Sequence, residues 1–344
     1  MSCAEVLASI TKASPELARR VVGDVPSAVP ARVAALVAGT AAAVPSLPVQ
    51  AAAGNIAIVL GHLAMASPAI ARRVAKERGA LTALVAAVAA GGAAAAPNLQ
   101  RTAVNSAFAL QQITSAGPEL AQRVAQQPRA LLTLVATAAA GAAIAADCGQ
   151  KAAATSVGVL ARMAWTSPEL ARRVAEERGA LQVLIAAVAA GSAATDTSGL
   201  QDMAEVGAEA LYFITSACPE LTLRVAEEPG TLRALVAAVA AGGAAAMPSL
   251  QAAAAKSAPA LVLITKAGPE YAQRVAEEPG ALAAFVVDVA DGGAADASNT
   301  QAVTVHSALV LANIAAASLG LAHRVANTEG LPWSLPWQQA ATQP

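Results

Sequence analysis

Asp202, Glu205 and Glu209 stand three and four residues apart in the stretch QDMAEVGAEALYF, and Tyr212 and Phe213 follow within one further turn. On a helix that spacing puts the three carboxylates on one face. Three acids on one face can hold a cation or read a basic partner. A cation site, however, calls for a turn loop or a histidine among the ligands, and neither accompanies these acids. The three histidines, His62, His306 and His323, fall in separate stretches, and no nucleophile–base pair, phosphate-cradling glycine loop or metal spacing joins them. Cys3, Cys148 and Cys218 form no CxxC pair or Cys/His cluster. The chain therefore reads as non-catalytic, with no cofactor, no metal and no small-molecule substrate expected. Cysteines this sparse suit a reducing compartment, so a cytoplasmic address is expected.

Charge narrows the partners. The 22 basic and 23 acidic side chains leave a net charge of −1, so no basic excess exists to neutralise a phosphate backbone and nucleic acid is not expected. Aromatic residues make up only 2% of the chain, which rules out a thick core of large side chains and favours thin layers of closely packed helices. A mean hydropathy of +0.53 raises a membrane-embedded bundle as an alternative. The uncharged stretch 234–255 is mostly alanine and is broken by Gly242, Gly243 and Pro248, so no membrane partner is expected.

The elements that must position these groups come from an internal repeat. SPELARRVAEERGALQVLIAAVAAG at 167–191 returns, with small changes, from residues 67, 218 and 268. Helix-opening prolines at Pro15, Pro68, Pro118, Pro168, Pro219 and Pro269 are spaced by 53, 50, 50, 51 and 50 residues. Each repeat parses into a short helix, a second helix GALxxLVAAVAAG and a third helix. The first is opened by Ser, Gly or Cys before the proline, as in Ser167-Pro168. The second is expected to stop at its glycine. The third starts at a glutamine: Gln50, Gln100, Gln150, Gln201, Gln251 or Gln301. No such helix buries its apolar face alone, whereas stacked repeats do.

PELxxRVAEExGALxALVxxV followed by LQxxAxxAL resembles the armadillo repeat over nearly the whole chain. The resemblance implies an all-α, right-handed α-solenoid of six three-helix armadillo-like repeats of about 50 residues. Their expected spans are 14–66, 67–116, 117–166, 167–217, 218–267 and 268–317. Residues 1–13 would be an N-terminal cap and 318–344 a partial seventh repeat with a C-terminal cap. Trp333 and Trp337 would cover the last apolar layer or anchor a partner. In five copies the arginine of the Arg-Val pair has a glutamate four residues before it, at Glu16/Arg20, Glu119/Arg123, Glu169/Arg173, Glu220/Arg224 and Glu270/Arg274. This predicts partners within the same repeat and a structural ladder, with a strip for acidic groups as the alternative.

The armadillo resemblance further implies that the third helices line a groove for other proteins. The asparagines that clamp a peptide backbone in peptide-binding members are replaced here by His62, Gln112, Arg162, Phe213 and Leu263, with Asn313 alone matching. The expected partner-binding residues are Arg101, Asn105, Gln112, Lys151 and Arg162, then Asp202, Glu205, Glu209, Tyr212 and Phe213, then Lys256, His306 and Asn313. Two functions follow. One is a structural component of a larger assembly, since the chain is similar to armadillo proteins of the ciliary axoneme in consisting of little besides repeats. The other is a soluble adaptor that binds a charged peptide or signalling partner in the groove.

Overall fold

The computed structural model describes residues 14, 16, 20, 28–41, 47–92, 96–143, 147–194, 198–244, 247–291 and 298–328. Among these residues the regular structure is entirely α-helical. The chain forms two compact parts, Met1–Val183 and Leu184–Pro344, each taken separately below. The N-terminal part contains α1 (Ala28–Ala41), α2 (Leu47–Ala66), α3 (Pro68–Lys76), α4 (Ala80–Gly92), α5 (Pro97–Ser115), α6 (Pro118–Ala125), α7 (Ala130–Ala143), α8 (Asp147–Thr166) and α9 (Pro168–Glu176). The division falls within α10 (Ala180–Ser192). The C-terminal part continues with α11 (Ser198–Ala217), α12 (Pro219–Glu227), α13 (Thr231–Ala244), α14 (Pro248–Ala267), α15 (Pro269–Glu277), α16 (Ala281–Asp291), α17 (Ser298–Ala317) and α18 (Leu319–Ala326).

From α3 onward the order short, medium, long recurs, and local chemistry sets each boundary. The short helices open where Ser67 Oγ accepts from Ala69 N–H at 3.1 Å, and Ser167 and Ser318 Oγ accept from Leu170 and Leu321 N–H at 3.2 Å. Proline fits the next position because its missing N–H would have no helical partner there. Leu170, Ala171, Val174 and Ala175 form the buried stripe of α9, and the charged residues between them stay outside. The turn into the second helix needs a left-handed residue. Gly79, Gly179, Gly230 and Gly280 supply it at φ 76 to 84°, and Arg129 takes it at φ 59°.

Third helices lie side by side, α2 on α5 on α8 in the N-terminal part and α11 on α14 on α17 in the C-terminal part. Second helices pack behind them, α4 on α5, α7 on α8, α13 on α14 and α16 on α17. Leu60, Leu84, Leu110, Leu134 and Leu160 are fully buried in the first stack, and Leu235, Leu261, Phe285 and Ile314 in the second. Each such side chain contributes about 1.5–3 kcal/mol by leaving water.

The glycine that closes AVAAG is not a helix stop. α4, α7, α10 and α13 run through Gly91, Gly141, Gly191 and Gly242 by one to two further residues. A Cβ at the first three would overlap the carbonyl oxygen of Leu99, Gly149 or Leu200, in the first turn of the next long helix. The recurring glycine is there to let two helices touch backbone to side. Thr231, which starts α13, is buried with its Oγ1 donating to Glu228 O at 2.9 Å.

Two helices are long and apolar enough to cross a membrane by length and composition, in the windows Val49–Ala66 and Asn299–Ala317. Of the first, 61% is buried against protein, and of the second, 28%. The uncharged stretch 234–255 is divided between α13 and α14. The proposed N-terminal cap at 1–13 and the tryptophans Trp333 and Trp337 lie outside the described residues.

Candidate functional site: the third-helix face

Many side chains that recur in every repeat are occupied in joining the layers. Arg123 donates to Ala75 O at 2.9 Å, Arg173 to Ala125 O at 3.0 Å and Arg324 to Ala276 O at 2.9 Å. Each acceptor lies in the last turn of the short helix one repeat earlier. The guanidinium satisfies a carbonyl that has no helical donor and places positive charge at the negative helix end. The expectation of partners inside the same repeat is thus corrected for Arg123 and Arg173, whose hydrogen bonds cross to the preceding layer, as that of Arg324 also does. Gln100, Gln150 and Gln201 are buried, and Gln201 Nε2 donates to Ala194 O at 3.2 Å.

Two expected groove residues also turn out to be ties. Asn105 is only 9% exposed and its Nδ2 donates to Gly54 O at 2.9 Å, which fastens α5 to α2 beside the Thr102 Oγ1–Gln50 O bond of 3.2 Å. A partner cannot reach its amide, so Asn105 leaves the set of contact candidates. Asn313 is half-buried, with Nδ2 donating to Thr265 Oγ1 at 3.0 Å, and so links α17 to α14.

In the N-terminal part the remaining candidates stay on the accessible faces of α5 and α8. Arg101 is exposed, with Nη2 donating to Asn98 Oδ1 at 3.4 Å, and Gln112 is half-buried. Lys151 pairs with Asp147 at 2.7 Å, one turn away on the same helix. Arg162 lies 5.7 Å from the ring centre of Trp165, which is 56% exposed. Trp165 escaped the sequence reading. Its signal was position: third from the helix-opening proline, where other repeats carry Met65, Ser115, Ser216 and Lys266.

The C-terminal part brings its candidates together. Asp202, Glu205 and Glu209 share a face of α11, with Asp202 exposed and the other two half-buried. Lys256 reaches across from α14 to Glu209 Oε1 at 3.8 Å and lies 6.0 Å from the Phe213 ring centre. Tyr212 and Phe213 are tilted against each other at 5.5 Å. Burial raises the Glu205 carboxyl above its ordinary value, Asp202 and Glu209 add to the rise, and Lys256 opposes it. Among the described residues no group of three His, Cys, Asp or Glu side chains is arranged to hold a metal ion.

Beyond Tyr212 the same face opens into a groove of about 630 Å³. Its walls come from the ends of α11 and α14, the start of α12 and the middle of α17, with Tyr212, Pro259, Val262, Leu263 and Leu309 as its apolar surface. Lys266 and His306 also line it. His306 Nδ1 stands 2.6 Å from Ala302 O; a carbonyl only accepts, so Nδ1 carries a proton and Nε2 is the nitrogen left for another group. Of these lining residues only Tyr212 and His306 were expected from the sequence.

Stacked three-helix layers, long helices on one face and inter-layer ties at fixed positions define an armadillo-repeat fold, and solved structures agree. The chain is similar to the designed armadillo repeat protein YIII(Dq)4CqI, with a TM-score of 0.60 and 18% identity over 83% of this chain and 99% of that one. Two engineered proteins from a structural genomics consortium match equally, at TM-score 0.60 with 23% and 17% identity. They cover 82% and 83% of this chain and 98% and 97% of their own. No family model and no curated protein sequence matches the chain.

Proposed function

We propose that this protein is a non-catalytic scaffold that holds other proteins on its third-helix face, in six repeats with partial repeats at the ends. The observation that carries this reading is the 630 Å³ groove across α11, α14 and α17, lined by apolar side chains together with Lys266 and His306. Its walls are fixed before any partner arrives, through ties such as Asn313–Thr265 at 3.0 Å. A preformed surface lowers the ordering penalty of association.

Between the two forms of that function we favour a permanent part of a larger assembly over a reversible adaptor. Phe213 and Leu263 stand where peptide-clamping members of the armadillo family would have asparagine, and they give apolar contact rather than a generic grip on a peptide backbone. The ciliary axoneme, within a cytoplasmic location, is the address suggested by the sequence resemblance. Fractionation of a native extract separates the two forms. A permanent part co-fractionates with one large particle and resists moderate salt, whereas an adaptor leaves a free soluble pool.

A further inference from the structure

The groove of the C-terminal part has a floor and a rim of different chemistry. Val262 and Leu263 of α14, Leu309 of α17 and Tyr212 of α11 give it an apolar surface, and Leu309 is 46% exposed. The charge at its rim is positive: Lys266 lines it and is exposed, and no carboxylate does. Among the described residues neither the Lys266 ammonium nor the Tyr212 hydroxyl has a hydrogen-bonding or ionic partner. Glu220 and Glu270, in the first turns of α12 and α15, are exposed and stand outside the lining. The acidic end of α11 lies away from the apolar floor, since Asp202 is ten residues from Tyr212, or about 15 Å along the helix. Glu209, which is nearer, is engaged by Lys256 at 3.8 Å. A ligand with negative charge is therefore drawn to the Lys266 end and repelled from the Asp202 end, which fixes both its sign and its orientation.

We propose that this groove takes an extended segment of another protein in which bulky apolar side chains alternate with acidic ones. The apolar side chains rest on Val262, Leu263 and Leu309, and a carboxylate pairs with Lys266. The proposal rests on the reading of the groove as the partner site and adds the chemistry of the partner. Lys266 is one helical turn beyond Val262, roughly 5–6 Å, and an extended chain advances about 3.3 Å per residue. The carboxylate accordingly lies within two residues of the apolar anchor. His306 lines the same groove, and its Nε2, the nitrogen not engaged by Ala302 O, accepts a backbone N–H from the segment, which sets its register.

The test uses the full-length protein and two short fluorescent peptides, acetylated and amidated, SGELEFEGS and its charge-swapped form SGKLKFKGS. The acidic peptide is expected to bind about tenfold more tightly, equivalent to about 1.4 kcal/mol. Lys266→Glu should remove or reverse that preference, and Leu309→Asp should abolish binding of both. Both substituted side chains are exposed, so circular dichroism of the variants should match the parent. If the basic peptide binds as well or better and Leu309→Asp still abolishes binding, the groove is the partner site and the assigned chemistry is wrong. If neither peptide binds, the proposal fails, and the partner-site reading falls with it unless crosslinks to a native partner map to the groove. Two other occupants would also overturn the proposal. A second copy shows as self-association that Leu309→Asp abolishes. The chain's own terminal segment shows as acidic-peptide binding that appears only in a Trp333→Ser/Trp337→Ser variant.

Discussion

The guanidinium of Arg173 donates to the backbone carbonyl of Ala125 at 3.0 Å, from one short helix to the end of the short helix one repeat before it. Arg123 and Arg324 make the same bond to Ala75 and Ala276. In these three copies the recurring arginine thus serves the layer interface, which fits the proposal that the non-repeating side chains of the third helices choose partners.

Removing one such bond should weaken the interface without touching the groove. Arg173→Met keeps much of the apolar stem and loses the charged donor, whose hydrogen bonds are worth about 1.5–3 kcal/mol. Because the side chain is half-buried, we expect a loss toward the lower end of that range, read as a lower urea midpoint. Arg173→Lys should recover part of it. A midpoint unchanged in Arg173→Met would mean that the bond adds nothing to stability.

The buried serines of the third helices divide into two kinds. Ser106, Ser156 and Ser257 are fully buried and their Oγ atoms have no hydrogen-bond partner among the described residues. Ser307, at the equivalent position of α17, donates to Asp288 Oδ2 at 3.0 Å. An unmade buried hydrogen bond costs about 1–3 kcal/mol. Ser156→Ala should therefore leave stability unchanged or raise it, whereas Ser307→Ala should lower it by depriving a buried carboxylate of a donor. Equal effects of the two changes in thermal unfolding would refute the distinction.

Arg129 holds a left-handed conformation at φ 59° where four other repeats have glycine. A side chain there costs roughly 1–2 kcal/mol, and the residue is exposed. Arg129→Gly should raise the stability by up to about 1 kcal/mol after the entropy that glycine adds to the unfolded chain, read as a higher urea midpoint.

Glu205 gives the stability a dependence on pH. Its folded carboxyl is raised by burial and by its acidic neighbours, so the folded state binds a proton more readily than the unfolded state. Its contribution is then most favourable below the ordinary carboxyl value of about 4.3 and is lost as pH rises through the folded value. Glu205→Gln should be more stable than the parent at neutral pH, and the gap should close in acid. Half-exposure of the side chain keeps the effect small.

Much of the fold was legible because it is written in local chemistry and written repeatedly. Ser167-Pro168, Gly179 and the Leu170–Val174 stripe mark one short helix and its turn, and related residues mark the others. What stayed hidden depends on partners in other helices, for the polar ties about 50 residues away. Arg173 had Glu169 four residues before it as a plausible local partner, and only the stacked layers reveal Ala125. Asn105 reads as a polar third-helix residue whether it faces a groove or the backbone of α2. Gly91 looks like a helix stop until α5 is seen against it. The groove joins Tyr212, Val262 and Leu309 from three repeats, so no single stretch of sequence contains it.

The measurement that bears most directly on the central claim is crosslinking of the protein in its native extract, with attached peptides mapped by mass spectrometry. The parent should be compared with Leu309→Asp and with Asp202→Lys/Glu205→Lys/Glu209→Lys. We expect one partner's crosslinks to fall on α11, α14 and α17 and to disappear in the first variant and weaken or shift in the second. Crosslinks confined to the inter-helix loops or the chain ends, unchanged in both variants, would contradict a groove-based scaffold and point to one held by its edges.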